Sequence, residues 1–533
     1  MVTPSPPLLG SIAGKPLGYA CVRASALMGL APHVITVEVS CTRGPPGFQM
    51  VGLPEAPVRE ARVRVESALA TLGVLVSEYA ITINLAPADL PKSGATLDLA
   101  LALGILGVLD HLPPESLAGL LVLGELSLDG SLQPMRGLLP QLCGTLGTDL
   151  HTAIVPLANA PEAGLIQAGR VLVANSLSAV VEHLTQKQPL PVAPATRFEP
   201  ALDGPLHGDL SQAHGQALAR RALEVAAAGN HNLLLVGPPG AGKTLLARLL
   251  RTILPPLSFE ESLETTAIHS VAGLLSADKG IVDVRPFRAP HHSVSEAGLV
   301  GGGTYPRPGE VSLAHNGVLF LDEFAEFRRG ALEALRQPLE DGCVCIARAR
   351  SRASFPARPL LIAAMNPCPC GYRGHPQQPC RCGLGQVARY REKLSGPLLD
   401  RLDVHVQLPP VDLRTLSQTN RNESSATVRE RVVAARDRQL ARFRSGAVSR
   451  RTNAELPLDE IKRIARLDAE GRRFLESTAN QLGLSARAFV KVLRVARTIA
   501  DLEGDASVAK AQVGEAIQGR ILDRRSGAEP SQS

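Results

Sequence analysis

The sequence contains no tryptophan and few aromatic residues of any kind. Phe, Trp and Tyr together make up 3% of the 533 residues. Proteins that bind single-stranded nucleic acid without sequence preference stack successive bases on aromatic side chains. We therefore expect no recognition surface built on stacked bases.

The sequence also lacks an apolar run long enough to cross a membrane. Its longest charge-free apolar stretch covers residues 99–109, whereas a membrane-spanning helix needs about 20 apolar residues. No cationic segment precedes an apolar core at the N-terminus, so a signal peptide is not expected. We predict a cytoplasmic protein without a membrane partner. Its nine cysteines are then thiols or metal ligands rather than disulfides.

Composition and charge are those of an ordinary globular protein. Hydrophobic residues make up 45% and charged residues 20% of the chain, and its length suits roughly three domains. The net charge of +6 permits a nucleic-acid partner but does not establish one.

A glycine-rich turn between an apolar run and a helical pattern is the strongest motif. Residues 233–236 predict a buried strand, and residues 245–250 predict a helix. The turn fits G-x-x-x-x-G-K-[ST], whose glycines let backbone N–H groups converge on phosphate oxygens. Lys243 supplies a positive charge to the β- and γ-phosphates, and the Thr244 hydroxyl reaches Mg²⁺. The predicted ATP-binding residues are Gly237, Pro238, Pro239, Gly240, Ala241, Gly242, Lys243 and Thr244.

Two further apolar strands end in polar residues that suit ATP hydrolysis. Residues 318–321 predict a strand followed by Asp322, a ligand for Mg²⁺, and Glu323, which acts on the attacking water. Residues 360–365 predict a strand that ends in Asn366, whose amide can orient that water. An edge strand with a polar end is the structural alternative for the two acids.

Three arginines are candidates for contact with a phosphate. Arg401 lies beside two acids, so it is either a surface ion-pair residue or an arginine finger for a neighbouring subunit's nucleotide. Residues 485–500 predict an amphipathic helix that carries Arg487 and Arg494. These two arginines either reach a phosphate or cap and solvate the helix.

Two C-x-C pairs flank a loop that is rich in Gly and Pro. Their members are Cys368, Cys370, Cys380 and Cys382. Four thiolates satisfy a tetrahedral Zn²⁺, although C-x₂-C is the commoner spacing. The pattern predicts a structural zinc site, with four free thiols as the alternative. Zinc here would stiffen the loop directly after Asn366.

Basic residues cluster in two other places. Arg348, Arg350 and Arg352 recur at every second position, which predicts one face of a hairpin strand. Such a row suits the phosphate backbone of DNA, and a solvated strand face is the alternative. Residues 429–451 predict a basic helix, interpreted mainly as a solvated face.

Together these motifs resemble those of AAA+ ATPases of the magnesium-chelatase-like group, and within it of the ComM/YifB proteins. Nearly the whole chain takes part in the likeness. Beyond the three strand ends, it is carried by residues 285–303, 398–406 and 484–502. The resemblance implies that Asn366 is sensor 1 and that Arg401 is an arginine finger acting in trans. It also implies that Arg487 is sensor 2, with Arg494 as the alternative.

Residues 18–185 are similar to the protease domain of the Lon family, through residues 91–98 and 123–130. That family uses a Ser–Lys dyad. Here Thr96 occupies the serine position, and the lysine position falls near Gln141. Because Gln cannot take a proton from a hydroxyl nucleophile, we predict no protease activity and a structural or assembly role.

The predicted architecture is α/β. It has a P-loop AAA+ core on a parallel sheet, an N-terminal α+β Lon-protease-like (S5-like) domain and a C-terminal helical lid domain. The predicted segments are the N-terminal domain 1–185, a linker 186–210, the core 211–412 with its Cys-rich loop 368–382, the lid 413–525 and a disordered tail 526–533.

The resemblance implies an ATP-driven hexameric DNA motor, a helicase that promotes branch migration of recombination intermediates in natural transformation. Its partners would be single-stranded or branched DNA, identical subunits and recombination proteins. One alternative is a magnesium-chelatase-type ATPase subunit. The N-terminal unit argues against it, because chelatase motor subunits resemble only the ATPase part. The other alternative is an ATP-dependent protein remodeller without protease activity.

Overall fold

The computed structural model describes residues 16–42, 45–90, 92, 96–147, 149–202, 208–276, 278–303, 306–348, 351–411 and 422–520. These residues form two compact units. Unit 1 contains the described residues up to 198, together with 263–282 and 345–354, and unit 2 contains the others. The predicted tail 526–533 lies outside the described residues.

Unit 1 is built on a mixed sheet. Its strands are β1 Pro16–Met28, β2 Ala31–Thr42, β3 Gly47–Val51, β4 Ala80–Ala86, β5 Leu120–Val122, β6 Glu125–Leu126, β7 Leu132–Gln133, β8 Thr152–Pro156 and β9 Arg170–Ala174. Seven of them pair in the order β3-β4-β2-β1-β5-β8-β9, and β6 pairs with β7. The β1–β2 and β2–β4 pairs are antiparallel, whereas β5, β8 and β9 run parallel.

Five helices belong wholly to unit 1. They are α1 Ala56–Thr71, α2 Asp98–Val108, α3 Leu138–Thr145, α4 Ala160–Ala163 and α5 Leu177–Leu184. Strand β2 alternates buried and partly exposed residues, as expected for a half-buried strand. Helix α2 is apolar on all sides and is buried almost throughout. Gly104 permits its close packing, because a Cβ there would lie 2.6 Å from Val39 Cγ2.

Part of the proline-rich segment predicted as a linker runs beside β9. The N–H of Val173 donates to the Pro191 carbonyl at 3.0 Å, and the N–H of Ala193 donates to the Val171 carbonyl at 2.8 Å. Residues 191–193 therefore extend the hydrogen bonding of the unit 1 sheet. The predicted domain boundaries themselves stay predictions.

Unit 2 is built on a parallel sheet. Its strands are β10 Leu233–Val236, β11 Phe287–Arg288, β12 Gly301–Gly302, β13 Arg307–Pro308, β14 Val318–Leu321, β17 Leu360–Met365 and β18 Val404–Gln407. Five of them pair in the order β11-β14-β17-β10-β18, and every neighbouring pair is parallel. All residues of β10, β14 and β17 are buried. Continuous apolar strands are typical of parallel sheets covered on both faces.

Helices surround this sheet and form the C-terminal part of the chain. Those of the core are α6 Ala217–Gly229, α7 Lys243–Leu249, α8 Phe259–Ala272, α9 Glu296–Val300, α10 Glu310–Leu313, α11 Arg329–Ala334, α12 Arg336–Asp341, α13 Leu384–Glu392 and α14 Gly396–Leu399. The C-terminal helices are α15 Ser425–Arg444, α16 Leu458–Ala465, α17 Ala469–Leu482, α18 Ala486–Glu503 and α19 Lys510–Gln518. Helix α8 contributes its residues from 263 onward to unit 1.

Helix α18 shows how local sequence sets the limits of a C-terminal helix. The Ser485 hydroxyl accepts a hydrogen bond from the N–H of Ala488 at its start, and Gly504 ends it with a φ of 84°. Its apolar side, which includes Val492 and Ile499, joins one hydrophobic core with the residues of β10 and β18.

The observed elements confirm the predicted fold class, a mixed α/β chain with a parallel core sheet, a strand-rich N-terminal region and a helical C-terminal region. Among the helices of the described ranges, none combines the length and apolarity needed to cross a bilayer.

The central strand β10 offers a test of the core. We expect Leu235→Ala to lower the free energy of unfolding by about 2–5 kcal/mol, because the residue is fully buried and its truncation leaves a cavity. The control is Leu384→Ala, whose side chain is 80% exposed and whose loss should change stability by less than about 0.5 kcal/mol. Denaturant titration measures the free energy of unfolding of both variants, and equal losses would contradict the buried position of Leu235.

Candidate nucleotide and metal sites

The carboxyl ends of three strands meet at one edge of the unit 2 sheet. Val236 is paired with Met365 across β10 and β17, and Leu321 is paired with Ala363 across β14 and β17. Residues that directly follow these strands are therefore neighbours. Ligands of open parallel sheets bind at this edge.

The loop after β10 depends on glycine at several positions. Gly240 and Gly242 have φ values of 77° and 84°, a region that favours glycine. The N–H of Gly237 donates to the Met365 carbonyl at 3.2 Å. A Cβ at Gly237 would lie 2.8 Å from Leu408 Cβ. The loop is thus held against the ends of its neighbouring strands.

Lys243 connects this loop to the end of β17. Its Nζ donates to the carbonyls of Gly237 and Pro238 at 2.8 and 3.0 Å, and to Asn366 Oδ1 at 3.0 Å. Burial lowers the pKa of Lys243, and the charges of Asp322 and Glu323 partly offset that effect. The ammonium lies within the predicted nucleotide loop, residues 237–244, next to Asn366, the predicted sensor 1.

Thr244 and Asp322 offer two oxygen ligands in the arrangement that Mg²⁺ needs. Thr244 Oγ1 donates to Asp322 Oδ2 at 2.7 Å, and Asp322 Oδ1 accepts from the N–H of Glu323 at 2.9 Å. In an octahedral Mg²⁺ site with bonds near 2.0–2.1 Å, adjacent ligand oxygens lie about 2.9 Å apart. The hydroxyl and the carboxylate therefore fit this ion.

Glu323 has an unusual backbone conformation and a histidine partner. Its φ of 52° lies in the left-handed region that non-glycine residues rarely adopt, and such strain is concentrated at functional sites. His292 Nδ1 lies 3.0 Å from Glu323 Oε2. We assigned no role to His292 from the sequence. The available signal was its position shortly after β11, because β11 is parallel to β14 and ends at the same edge.

Arg401 lies at the opposite, amino edge of the sheet. Its carbonyl accepts from Asn232 Nδ2 at 3.0 Å, and Asn232 immediately precedes β10. Gly237 lies five positions beyond Asn232 along the extended strand, a distance of about 16 Å. The Arg401 guanidinium forms an ion pair with Glu340. Arg401 is therefore remote from the nucleotide loop of its own chain.

Arg487 lies at the same edge as Arg401. Both line a cavity of about 470 Å³, together with Asn232, Glu340, Arg450 and Lys491. Arg487 is exposed. Arg494, one helical turn beyond Lys491, also lines this cavity, but its Nε donates to the Leu456 carbonyl at 2.8 Å, and burial lowers its pKa. The geometry favours Arg487 over Arg494 as a residue that reaches a ligand.

The four cysteines of the loop 368–382 lie together. Cys368 Sγ is 3.4 Å from Cys370 Sγ and 3.6 Å from Cys380 Sγ, and the sulfurs of Cys370 and Cys380 are 3.6 Å apart. All four sulfurs, including that of Cys382, lie within 4.8 Å of one another. A tetrahedron of sulfurs around Zn²⁺ at about 2.3 Å has edges of about 3.8 Å. The cluster therefore fits zinc.

The predicted row of three arginines on one strand face is wrong. Strand β15 covers Cys343–Arg348, strand β16 covers Ser351–Pro356, and the two strands pair with each other. Arg348 and Arg352 consequently belong to different strands, so the period-two pattern does not lie on a single strand. Arg352 is exposed. Arg350 and the side chain of Arg348 lie outside the described residues.

The basic helix is also not the solvated face that its sequence predicted. Arg436 Nη2 donates to the Ala227 carbonyl at 2.9 Å, and Arg438 Nη1 donates to the backbone carbonyl of Asp501. Arg431 forms ion pairs with Glu224 and Glu423. These arginines of α15 attach it to the rest of unit 2.

The predicted dyad region of unit 1 is only partly described. Pro91 and residues 93–95 lie outside the described residues. The carbonyl of Thr96 accepts from the N–H of Gly124 at 3.0 Å. Gln141 is buried, and its Nε2 donates to the Gly137 carbonyl at 3.1 Å. The absence of protease activity stays a prediction.

Comparison with known proteins gives matches along most of the chain. Residues 209–416 match the family described as magnesium chelatase, subunit ChlI, and residues 422–520 match the C-terminal region of that subunit. Residues 37–159 match a family described as subunit ChlI of Mg-chelatase.

Three relatives are similar over almost their full lengths. The uncharacterized protein YifB of Escherichia coli (strain K12) is 44% identical over 95% of this chain and 98% of its own. The competence protein ComM of Haemophilus influenzae is 43% identical over the same shares. An uncharacterized protein of Mycobacterium tuberculosis (strain H37Rv) is 44% identical over 94% of this chain and 98% of its own.

The cysteine cluster predicts one bound zinc per chain. Replacing Cys380 and Cys382 together with Ser should abolish metal binding, because two neutral hydroxyls cannot replace two thiolate ligands. Metal analysis of the purified protein measures the outcome. Cys143→Ser, at an exposed cysteine outside the loop, should keep its zinc, and an unchanged metal content in the double variant would refute the site.

Proposed function

We propose that this chain, which belongs to the ComM/YifB family of magnesium-chelatase-like AAA+ proteins, is an ATPase that works as a hexameric DNA motor. Its proposed reaction is branch migration of recombination intermediates, as needed in natural transformation. The observation that carries the ATPase proposal is the meeting of Lys243, Thr244, Asp322 and Asn366 at one edge of a parallel sheet.

The geometry of this edge supports a proposed task for each side chain. The loop backbone and Lys243 would hold the β- and γ-phosphates of ATP, which offer stronger, charge-assisted hydrogen bonds than the loop carbonyls now bonded to Lys243. Thr244 and Asp322 would hold Mg²⁺, which supplies positive charge next to the phosphates. Asn366, already hydrogen-bonded to Lys243, would orient the attacking water.

Glu323 would accept a proton from the attacking water. Its carboxylate faces His292, with 3.0 Å between Nδ1 and Oε2. Hydrolysis therefore requires the carboxylate to exchange His292 for the water. Both side chains are partly exposed, at 35% and 57%, so neither is confined by close packing.

The position of Arg401 supports an assembly in which subunits complete each other's sites. Arg401 lies one strand length from the nucleotide loop of its own chain, beside Arg487. An arginine finger stabilises charge on the transferring phosphoryl group and must reach it directly. Arg401 and Arg487 would therefore serve the nucleotide of a neighbouring subunit, after Arg401 leaves Glu340. A closed ring supplies every nucleotide with such a neighbour.

DNA as the partner rests on the family and on charge. A relative that is 43% identical over nearly its full length carries the name competence protein ComM. The chain has a net charge of +6, and Arg352 is exposed on the hairpin before β17. Attraction to phosphates through exposed arginines depends strongly on salt. Recombination proteins are the further partners that we infer.

A magnesium-chelatase-type subunit is the second candidate. All three matched families are described as parts of a magnesium chelatase, including the one that matches residues 37–159. The presence of the N-terminal unit therefore does not by itself argue against a chelatase. Stimulation of ATP hydrolysis by forked DNA separates the candidates, because a chelatase subunit has no reason to respond to DNA.

Two variants separate nucleotide binding from hydrolysis. Lys243→Ala should abolish ATP binding, because it removes the charge that faces the phosphates. Glu323→Gln should keep ATP binding and lower kcat by at least about 100-fold, because the amide cannot accept the proton. Both variants should lose branch migration, measured on a synthetic four-way junction with radiolabelled strands. Wild-type branch migration by either variant would overturn the motor proposal.

Arg401→Ala tests the shared site. The variant should bind ATP normally but hydrolyse it about 10³–10⁵-fold more slowly. Mixing it with Lys243→Ala should restore part of the ATPase activity, because some interfaces then join an intact nucleotide loop to an intact Arg401. The matched control mixes Lys243→Ala with a double variant at positions 243 and 401. Activity that does not rise in the first mixture would contradict action in trans.

A further inference from the structure

The cysteine loop, residues 368–382, touches the nucleotide loop through the backbone of Gly371. This residue follows Cys370 and has a φ of 84°. A Cβ at Gly371 would lie 2.6 Å from Cδ and 2.9 Å from Cγ of Pro239, whereas non-bonded carbons prefer about 3.5–4.0 Å. The Pro239 ring has no rotatable side chain with which to withdraw. The two loops are thus packed at a separation that only glycine permits.

The cysteine loop directly follows the segment of Asn366, the residue whose side chain is hydrogen-bonded to Lys243. Asn366 stands two residues before Cys368, and its Oδ1 accepts from Lys243 Nζ at 3.0 Å. The Cβ position of Gly371 also lies 3.8 Å from Asn366 Cγ. The backbone at Gly371 therefore supports the nucleotide loop twice, directly through Pro239 and indirectly through Asn366.

The four sulfurs determine where that backbone lies. Cys368 is fully buried beside Asn366, and Cys370 immediately precedes Gly371. Their sulfurs meet that of Cys380, which returns from the far side of the loop at 3.6 Å from each. The contacts between the two C-x-C pairs run through these sulfurs, which also accept hydrogen bonds from backbone N–H groups of the opposite pair. A metal bound by all four cysteines would close this loop and restrict its movement.

We propose that zinc bound by the four cysteines supports the nucleotide loop from outside, so that zinc binding and ATP binding strengthen each other. This coupling rests on the proposed nucleotide site. It is reciprocal, because a metal that raises the affinity for ATP by some factor has its own affinity raised by ATP to the same extent. Couplings between two sites commonly amount to about 5–150-fold.

The first experiment measures both directions of the coupling in the full-length wild-type chain. The Kd for a non-hydrolysable ATP analogue is determined by calorimetry with Mg²⁺ present, before and after zinc is removed with a chelator. The zinc affinity is then determined against a chromophoric chelator, with and without the analogue. Both affinities should change by the same factor, at least about 5-fold.

The outcomes of this experiment separate the coupling from the proposed function. A wild-type chain that binds the analogue with one Kd in both metal states overturns the coupling alone. A wild-type chain that binds no nucleotide in either state overturns the proposed function and the coupling together. A purely structural zinc would change stability without making the zinc affinity depend on the analogue.

The second experiment keeps the metal and alters only the contact between position 371 and Pro239. Gly371→Ala and Gly374→Ala retain all four cysteines, and both positions have a positive φ, 84° and 77°, so both substitutions impose similar backbone strain. Only the first would meet Pro239, since no atom lies within 4 Å of a Cβ at Gly374. This pair remains informative even if the zinc-free chain unfolds.

We expect Gly371→Ala to keep its zinc and to weaken binding of the analogue by at least about 5-fold. Gly374→Ala should keep both its zinc and the wild-type Kd. Equal nucleotide affinities for the two zinc-loaded variants would overturn the proposal.

Discussion

Parallel pairing of β10, β17 and β14 is the constraint on which the proposed nucleotide site depends. Because their carboxyl ends lie at one edge, the residues after each strand have to share a small region. Lys243 then bonds to Asn366, and Thr244 bonds to Asp322, across 123 and 78 residues of sequence. A shift of one residue in either register would separate these pairs. The buried apolar side chains of the three strands therefore maintain the chemistry at their ends.

The same short strands keep the two edges of the sheet that carry candidate site residues apart. Arg401 is held at the amino edge by Asn232. Two residues further on, Asp403 accepts from the N–H of Asn232 at 3.0 Å and pairs with Lys491 at 2.7 Å. Despite burial, which opposes ionisation, the positive charge of Lys491 keeps the pKa of Asp403 far below its usual value. This buried pair joins α18, the helix of Arg487, to the sheet, so Arg401 and Arg487 face one cavity.

Contacts around the nucleotide loop give it support from several directions. Gln216 Nε2 donates to the Ala241 carbonyl of the loop at 3.4 Å and to the Pro409 carbonyl, near the exit of β18, at 3.0 Å. Gly237 is packed against Leu408, and Pro239 is packed against Gly371 of the cysteine loop. These contacts order the backbone of the loop that we propose to bind ATP. Preorganisation matters because binding energy is not then spent on ordering the backbone.

Local patterns predicted the elements that carry the site. The apolar runs at 233–236, 318–321 and 360–365 coincide with β10, β14 and β17, and the charge-free apolar stretch at 99–109 falls in α2 except for its last residue. Each is recognisable because an uninterrupted apolar run needs burial wherever it lies. The residues predicted to bind the nucleotide lie together because they follow such strands directly.

What the sequence could not predict depends on partners that are distant along the chain. The arginines at 348 and 352 recur with strand periodicity, yet they lie on two paired strands. The basic helix has the composition of a solvated face, but Glu224 and the Ala227 carbonyl, each more than 200 residues away, bind Arg431 and Arg436. The sequence by itself determined which strands form and which chemistry follows them. Only the tertiary structure decided that His292 faces Glu323 and that Arg401 lies away from its own nucleotide loop, because strand order and register bring those groups together or keep them apart.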